Sequence, residues 1–210
     1  MFNYLTGYST GYQWRNFIVS PDFLQDRVLE LIAREAVRAK AREGGRIFAK
    51  LNQLVDPEVI EALYKASQAG VKIDLLVRGS CCLRPGLKGI SENIRVFSIL
   101  DRFLEHSRVY VFGEGAGAEV YLASADWMPR NFRRRVEIVF PLIEPVLKQR
   151  VLEGLVPTYL GDNVKARQMQ SDGSYRRVTP EPGTAAIRAQ IKFLTEPPIP
   201  DFANEVSESA

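Results

Sequence analysis

One histidine, His106, and two cysteines, Cys81 and Cys82, are all that 210 residues offer of the side chains that most often bind metals or act as nucleophiles. A single imidazole excludes multi-histidine zinc centres, and any chemistry that needs imidazole rests on one position or on another chain. The cysteines are adjacent. Joining them would need a strained vicinal bridge, and they supply neither a metal-ligand spacing nor a disulfide framework. No apolar run approaches the roughly 18 residues of a membrane helix, and residues 1–20 are too polar for a secretory signal. A cytoplasmic location is expected, with peripheral contact to a membrane left open. What remains is 46% hydrophobic, 25% charged and 10% aromatic, a globular composition able to bury one sizeable core or two small ones.

The formal net charge of +3 is unevenly spread, because residues 196–210 carry four acids and no base. Between Arg78 and Arg135 there are ten Lys or Arg against six Asp or Glu, in the stretch that also holds His106. Such a surplus suits an anionic ligand. A solvated basic face reads equally well for Arg133, Arg134 and Arg135, since three consecutive side chains cannot all point at one ligand.

The pattern along the chain is mixed α/β. Ser20-Pro21 reads as a helix start, with Ser20 as N-cap and Phe23, Leu24, Val28, Leu31 and Ile32 at helical spacing, ending near Gly44. A strand is expected at Arg46–Leu51, then a helix capped by Asp56-Pro57 and stopped by Gly70, then a strand at Val71–Val77. That is a βαβ unit with parallel strands. Strands follow at Ile94–Ile99, at His106–Phe112 and Glu119–Ala125 as a hairpin around Gly113–Gly117, and at Arg135–Phe140. Glu144-Pro145 opens a helix with Val146, Leu147, Val151, Leu152 and Leu155 inward. Beyond it the chain reads as irregular apart from a short helix around Ala185–Leu194.

Alternation along the hairpin strand puts His106, Arg108, Tyr110 and Phe112 on one face. With paired residue numbers summing to about 230, His106 stands opposite Ser124 or Asp126, so an imidazole, a guanidinium, a hydroxyl and a carboxylate converge. The local alternative is a strand-edge histidine, with Arg108 paired to Glu105 or Glu119 on the surface. Arg78 and Gly79 end a parallel strand, where open α/β sheets place ligands, and a guanidinium fork suits phosphate oxygens. The loop Ser80–Gly89, with Arg84 and Lys88, could lie along a polyphosphate chain. Lys50 and Asn52 share a face at the end of the first strand; their plain reading is a snorkelling lysine and a turn asparagine.

Several stretches carry a resemblance: Ile47-Phe-Ala-Lys50-Leu-Asn52-Gln-Leu-Val-Asp56, Leu76-Val-Arg78-Gly79-Ser-Cys81, Ile90-Ser-Glu-Asn93-Ile-Arg95, Arg102-Phe-Leu-Glu105-His106, Ser124-Ala-Asp126-Trp127-Met128 and Asp162-Asn163-Val164-Lys165-Ala166. In order and spacing they resemble the C-terminal part of bacterial polyphosphate kinase, over residues 1 to about 178. The resemblance implies a phospholipase D-like half, the second C-terminal domain, with a mixed β-sheet flanked by helices. It implies reversible transfer of the terminal phosphate of ATP to inorganic polyphosphate, with Mg2+ and through a phosphohistidine. His106 matches the family's second active-site histidine, catalytic and ATP-binding, and Arg78 its ATP-binding arginine. Lys50, Asn52, Arg108, Ser124 and Asp126 become possible phosphate contacts. The phosphorylated histidine, the nucleotide-contacting tyrosine and the magnesium-linked arginines would lie in a preceding catalytic domain, so the metal site is expected outside this chain and the isolated chain is expected to be inactive.

The implied division is residues 1–20 as the end of that domain or a linker, 21–178 as the phospholipase D-like domain, 179–195 as a short helical extension, and 196–210 as a disordered acidic tail. The expected partners are the preceding domain, ATP or ADP, polyphosphate and, at full length, further copies of the protein, but no nucleic acid. The phospholipase D pattern is only partly kept: His106-Ser-Arg108 has arginine for lysine, and Ala123-Ser124-Ala-Asp126 has aspartate for asparagine. Two other readings compete. One is a phosphodiesterase or nuclease pairing two copies of this domain, with His106 as nucleophile. The other is a non-catalytic polyanion-binding module.

Overall fold

The computed structural model describes Trp14 and residues 16–195. The expectations for the first residues of the chain and for the acidic tail at 196–210 lie outside the described residues, except that Ile18–Val19 forms a short strand, β1. After it come helix α1 (Leu24–Lys40), strand β2 (Arg46–Leu51), helix α2 (Pro57–Gln68) and strand β3 (Lys72–Val77). Strands β4 (Ile94–Ile99), β5 (Arg108–Phe112) and β6 (Glu119–Ala123), helix α3 (Pro129–Arg133) and strand β7 (Ile138–Pro141) follow. A helical rod is made of α4 (Pro145–Gln149), a π-helical stretch at Arg150–Leu155 and α5 (Val156–Leu160). Strands β8 (Ala166–Met169) and β9 (Tyr175–Arg177) and helix α6 (Ala189–Thr195) complete the chain as described.

Among the described residues nine strands form one sheet in the order β1-β7-β6-β5-β2-β3-β4-β8-β9. Its centre, β2-β3-β4, is parallel, as the βαβ spacing predicts, and both flanks are antiparallel. Because β2 is central, both of its faces are covered, and it reads as an almost unbroken apolar run. Ile47, Ala49 and Leu51 meet α1 and α2 together with Ile73, Leu75 and Val77. Phe48, Val109 and Val111 face the C-terminal rod instead, and Leu76, Phe97 and Ile99 lie beneath Tyr159 and Ala189. Asp56 caps α2 by accepting from the Val59 amide at 3.1 Å, and Gly70 ends it with a φ of 98°.

Four local expectations change. Ser20 does not cap α1, which starts at Leu24; its hydroxyl donates to Arg135 O at 2.7 Å and accepts from Glu137 N at 2.9 Å, so it ties the entry of the chain to β7. Val146 is 56% exposed, not inward, because at 3.6 residues per turn it points away from the side of the rod that carries Leu147, Val151 and Leu155. The segment after Leu155 is ordered into α5, β8 and β9 rather than irregular. Finally, the hairpin register differs by one residue. Ala118 N bonds Gly115 O inside a 3-10 turn at Gly115–Gly117, so the first pair outside the turn is Phe112↔Glu119 and paired numbers sum to 231.

Candidate active site at the carboxyl edge of the parallel strands

The register shift decides what can meet His106. β5 begins at Arg108, so His106 lies just outside the ladder and has no cross-strand partner. Ser124 turns away: its hydroxyl donates to the Glu137 carboxylate and accepts from Ile138 N at 3.0 Å. The expected convergence of four groups is therefore reduced to two, Arg108 and Asp126. Their pairing is bidentate, with Arg108 Nε and Nη2 donating to Asp126 Oδ1 and Oδ2 at 3.2 and 3.1 Å. Neither Glu105 nor Glu119 is the partner of Arg108.

Asn52 joins this pair to the segment that carries His106. Its backbone N–H donates to Asp126 Oδ1 at 2.7 Å. Its side-chain oxygen accepts from Arg108 Nη2 and Nε at 2.8 and 2.9 Å, and its amide nitrogen donates to Glu105 O at 2.9 Å, the orientation its neighbours select. Parallel pairing of β2 with β3 carries Asn52 and Arg78, one residue past each strand, to the same edge.

Lys50 is 1% exposed. Its ammonium pairs with Glu105 Oε2 at 3.1 Å, donates to Ser107 O at 3.2 Å and lies 5.2 Å from the centroid of the Tyr159 ring. Burial lowers its pKa from the usual lysine value; Glu105 opposes that, while the charges of Arg78 and Arg108 push it further down. Neither Lys50 nor Asn52 presents a free donor to solvent, so both support the loop rather than offering the phosphate contact expected of them.

Arg78 differs from its neighbours. Its side chain is half-buried, and Nη1 is fully buried with no hydrogen-bond partner. A guanidinium nitrogen left so is costly unless a ligand completes it, about 1–3 kcal/mol for the lost bond alone. His106 is exposed and forms part of the wall of an open depression of about 320 Å³, together with Phe103, Leu104, Tyr159 and Phe193. Its imidazole makes no hydrogen bond to any described residue.

Sequence reasoning missed three polar groups around this edge. Glu137, 9% exposed, receives Ser124 Oγ and Asn131 Nδ2; a carboxylate between Val136 and Ile138 in an apolar strand was the available signal. Tyr159 and Gln190 both bond Glu105, and neither has a local sequence signature.

The family model for polyphosphate kinase C-terminal domain 2 matches residues 17–190. The chain belongs to the polyphosphate kinase family. It is 46% identical to the polyphosphate kinase of Halalkalibacterium halodurans over 99% of its own length and 28% of that protein's. It is 52% identical to polyphosphate kinase 1 of Chlorobaculum tepidum over 92% of this chain and 27% of that one. The chain thus spans little more than a quarter of the curated relatives it matches. The crystal structure of polyphosphate kinase from Porphyromonas gingivalis superposes with a TM-score of 0.87 at 33% identity, over all of this chain and 31% of that one. A phospholipase D family member, Nuc from Salmonella typhimurium, gives a TM-score of 0.52 at 16% identity, over 74% of this chain and 97% of that one, a likeness of fold alone. The phospholipase D-like α/β fold expected from the motifs is the fold observed.

Magnesium finds no ready ligand set here. Among the described residues no cluster of three or more His, Cys, Asp or Glu could hold a metal ion. The two carboxylates closest to His106 along the edge are already engaged, Glu105 by Lys50, Tyr159 and Gln190 and Asp126 by Arg108 and Asn52. These residues do not fit a protein-held Mg2+. Nor is any helix among the described residues long and apolar enough to cross a membrane.

Proposed function

We propose that this chain is the nucleotide-phosphate-binding half of a polyphosphate kinase, which reversibly transfers the terminal phosphate of ATP to the end of inorganic polyphosphate. The single observation that carries the reading is Arg78: a guanidinium at the end of a parallel strand with one buried nitrogen left unpartnered. A phosphate oxygen is the acceptor its planar fork suits best. Phosphoryl transfer is mostly positioning and charge stabilisation, so the residues that matter are those that hold the phosphates in line and those that balance developing charge. Arg78 grips the nucleotide phosphates. His106, exposed and unpartnered on the depression wall, stands beside the transfer line as proton donor or charge stabiliser. The attacking imidazole that becomes phosphohistidine belongs to a preceding domain, and magnesium arrives with the nucleotide or is held there. The complete protein works as an oligomer in the cytoplasm, where ATP is supplied.

The phosphodiesterase reading is weaker, because Arg108 is locked onto Asp126 and is not free to serve a phosphodiester. The test is binding of ATP and of long-chain polyphosphate to this chain, wild type against Arg78→Ala and His106→Ala, at two salt concentrations with magnesium present. Loss of one charged hydrogen bond, about 1.5–3 kcal/mol, predicts ATP affinity about 10- to 100-fold weaker for Arg78→Ala. Binding indifferent to Arg78, steep in salt and unaffected by His106 would leave only a polyanion-binding surface. Hydrolysis of an activated phosphodiester that depends on His106 would revive the nuclease reading.

A further inference from the structure

His106 is held from behind by a buried polar relay that the proposed chemistry does not itself use. Glu105, its immediate neighbour, is 8% exposed, and its carboxylate has three partners. Lys50 of β2 approaches Oε2 at 3.1 Å, the Tyr159 hydroxyl of α5 donates to Oε2 at 2.9 Å, and Gln190 Nε2 of α6 donates to Oε1 at 2.6 Å. Gln190, 4% exposed, also grips the backbone of Phe103, accepting from its N–H at 2.8 Å and donating to its carbonyl at 2.8 Å. The α6 helix is itself tethered. Asp162 Oδ2 accepts from the Ala189 amide at 2.8 Å, and Arg188 makes a bidentate pair with Asp101 at 2.7 and 2.6 Å. Residues 101, 103 and 105, on the approach to His106, are thus each fixed by a residue between 159 and 190.

Two features set this relay apart from ordinary packing. A carboxylate and an ammonium are buried together, which is expensive unless every lone pair and proton is placed. And the outer side chains of the same segment, Phe103 at 47% and Leu104 at 73% exposure, lack any such hold, so the segment is secured by the relay rather than by an apolar core of its own. We propose that Glu105, held by Lys50, Tyr159 and Gln190, is the positioning residue that sets where His106 stands, so that helix α6 controls the site from the far end of the chain. What His106 does there rests on the function proposed above, but its placement by the relay does not.

The single histidine makes the test direct, since 15N-histidine labelling of the 210-residue chain reports one imidazole. Gln190→Ala is expected to shift the His106 ring signals and to raise hydrogen exchange at the Phe103 amide about tenfold. Tyr159→Phe, which keeps the ring and loses only the hydroxyl, is expected to shift the same ring signals. Val151→Ala thins the apolar contact of the same helical rod without touching the relay, and it should leave them in place. Unmoved ring signals in Gln190→Ala and Tyr159→Phe would overturn the proposal, as would equal movement in Val151→Ala. If Gln190→Ala does not fold, Tyr159→Phe alone decides. ATP added to each sample separates the two inferences: a wild-type chain that binds no ATP counts against the functional reading, while the ring shifts still judge the relay.

Discussion

Removing the carboxylate of Asp126 should be among the most damaging changes at the site, and its size follows from what is left behind. Asp126→Ala leaves the Arg108 guanidinium, 15% exposed, with only Asn52 Oδ1 and His106 O, and the Asn52 N–H with no acceptor. Stranding one member of a buried pair costs about 3–5 kcal/mol, and Arg108 recovers part of it by turning toward solvent. The orphaned amide adds about 1–3 kcal/mol before relaxation. We expect a net loss of about 4 kcal/mol, roughly 10 °C in Tm for a domain of this size. Asp126→Asn keeps an acceptor for Asn52 and should cost about half as much. Urea unfolding followed by tryptophan fluorescence reads this locally, because Trp127 is the next residue, fully buried and 5.2 Å from the Tyr110 ring. In the Asp126→Ala background Arg108→Met removes the stranded cation, so the double variant should be more stable than Asp126→Ala alone, with a coupling of about 2 kcal/mol. A loss below about 1 kcal/mol for Asp126→Ala, or strict additivity in the cycle, would refute the reasoning.

Two further predictions concern groups away from this pair. Hydrogen bonding from Arg188 holds the Asp101 carboxyl below the usual aspartate value, so as pH falls the unfolded chain takes up its proton first. The pair's contribution should therefore be fully present above about pH 4 and fade as pH drops through the lowered native value. Arg188→Met should lower stability at pH 7, and by progressively less as pH falls below the usual aspartate value; a pH-independent cost in urea melts would contradict this. The adjacent thiols should react unequally. Burial pushes Cys81 up to about 11 while Cys82 is exposed, so alkylation at pH 8 followed by mass spectrometry should modify Cys82 at least about tenfold faster. Equal rates would mean that the Cys81 pocket opens readily.

Sequence legibility followed local signals closely. β2 at Arg46–Leu51, β4 at Ile94–Ile99 and the Asp56-capped α2 could be placed from residue type alone, because a β-rich apolar run or a cap followed by proline has one good reading. β8 and β9 could not. Ala166–Met169 and Tyr175–Arg177 carry Arg, Gln and Tyr toward the edge of the sheet, and only pairing, of β8 with β4 and of β9 with β8, makes them strands. The site divides in the same way. Arg78 was legible as the residue ending a parallel strand. The contact between Arg108 and Asp126 was within reach, but its geometry depended on a one-residue register that a glycine-rich turn does not disclose. Lys50 was misjudged because its partners, Glu105 and Tyr159, come from a loop and from a helix whose place over the sheet is set by tertiary packing.

Counting charges at the carboxyl edge explains why Arg78, rather than its neighbours, carries the functional reading. Lys50, Arg78 and Arg108 lie close enough that the two arginines lower the lysine's affinity for its proton, and of the buried carboxylates around this edge Glu137 is taken up by the neutral Ser124 and Asn131. Glu105 is taken by Lys50 and Asp126 by Arg108. One cation therefore remains without a counter-ion, and it is the one with a buried nitrogen that nothing in the fold completes. Replacing Lys50 or Arg108 strands a carboxylate and disturbs the scaffold; replacing Arg78 strands nothing. A protein built for stability alone would gain by pairing or removing that guanidinium. On the function proposed here that cost is recovered when an anion binds at the strand end, beside the segment that the relay holds in place.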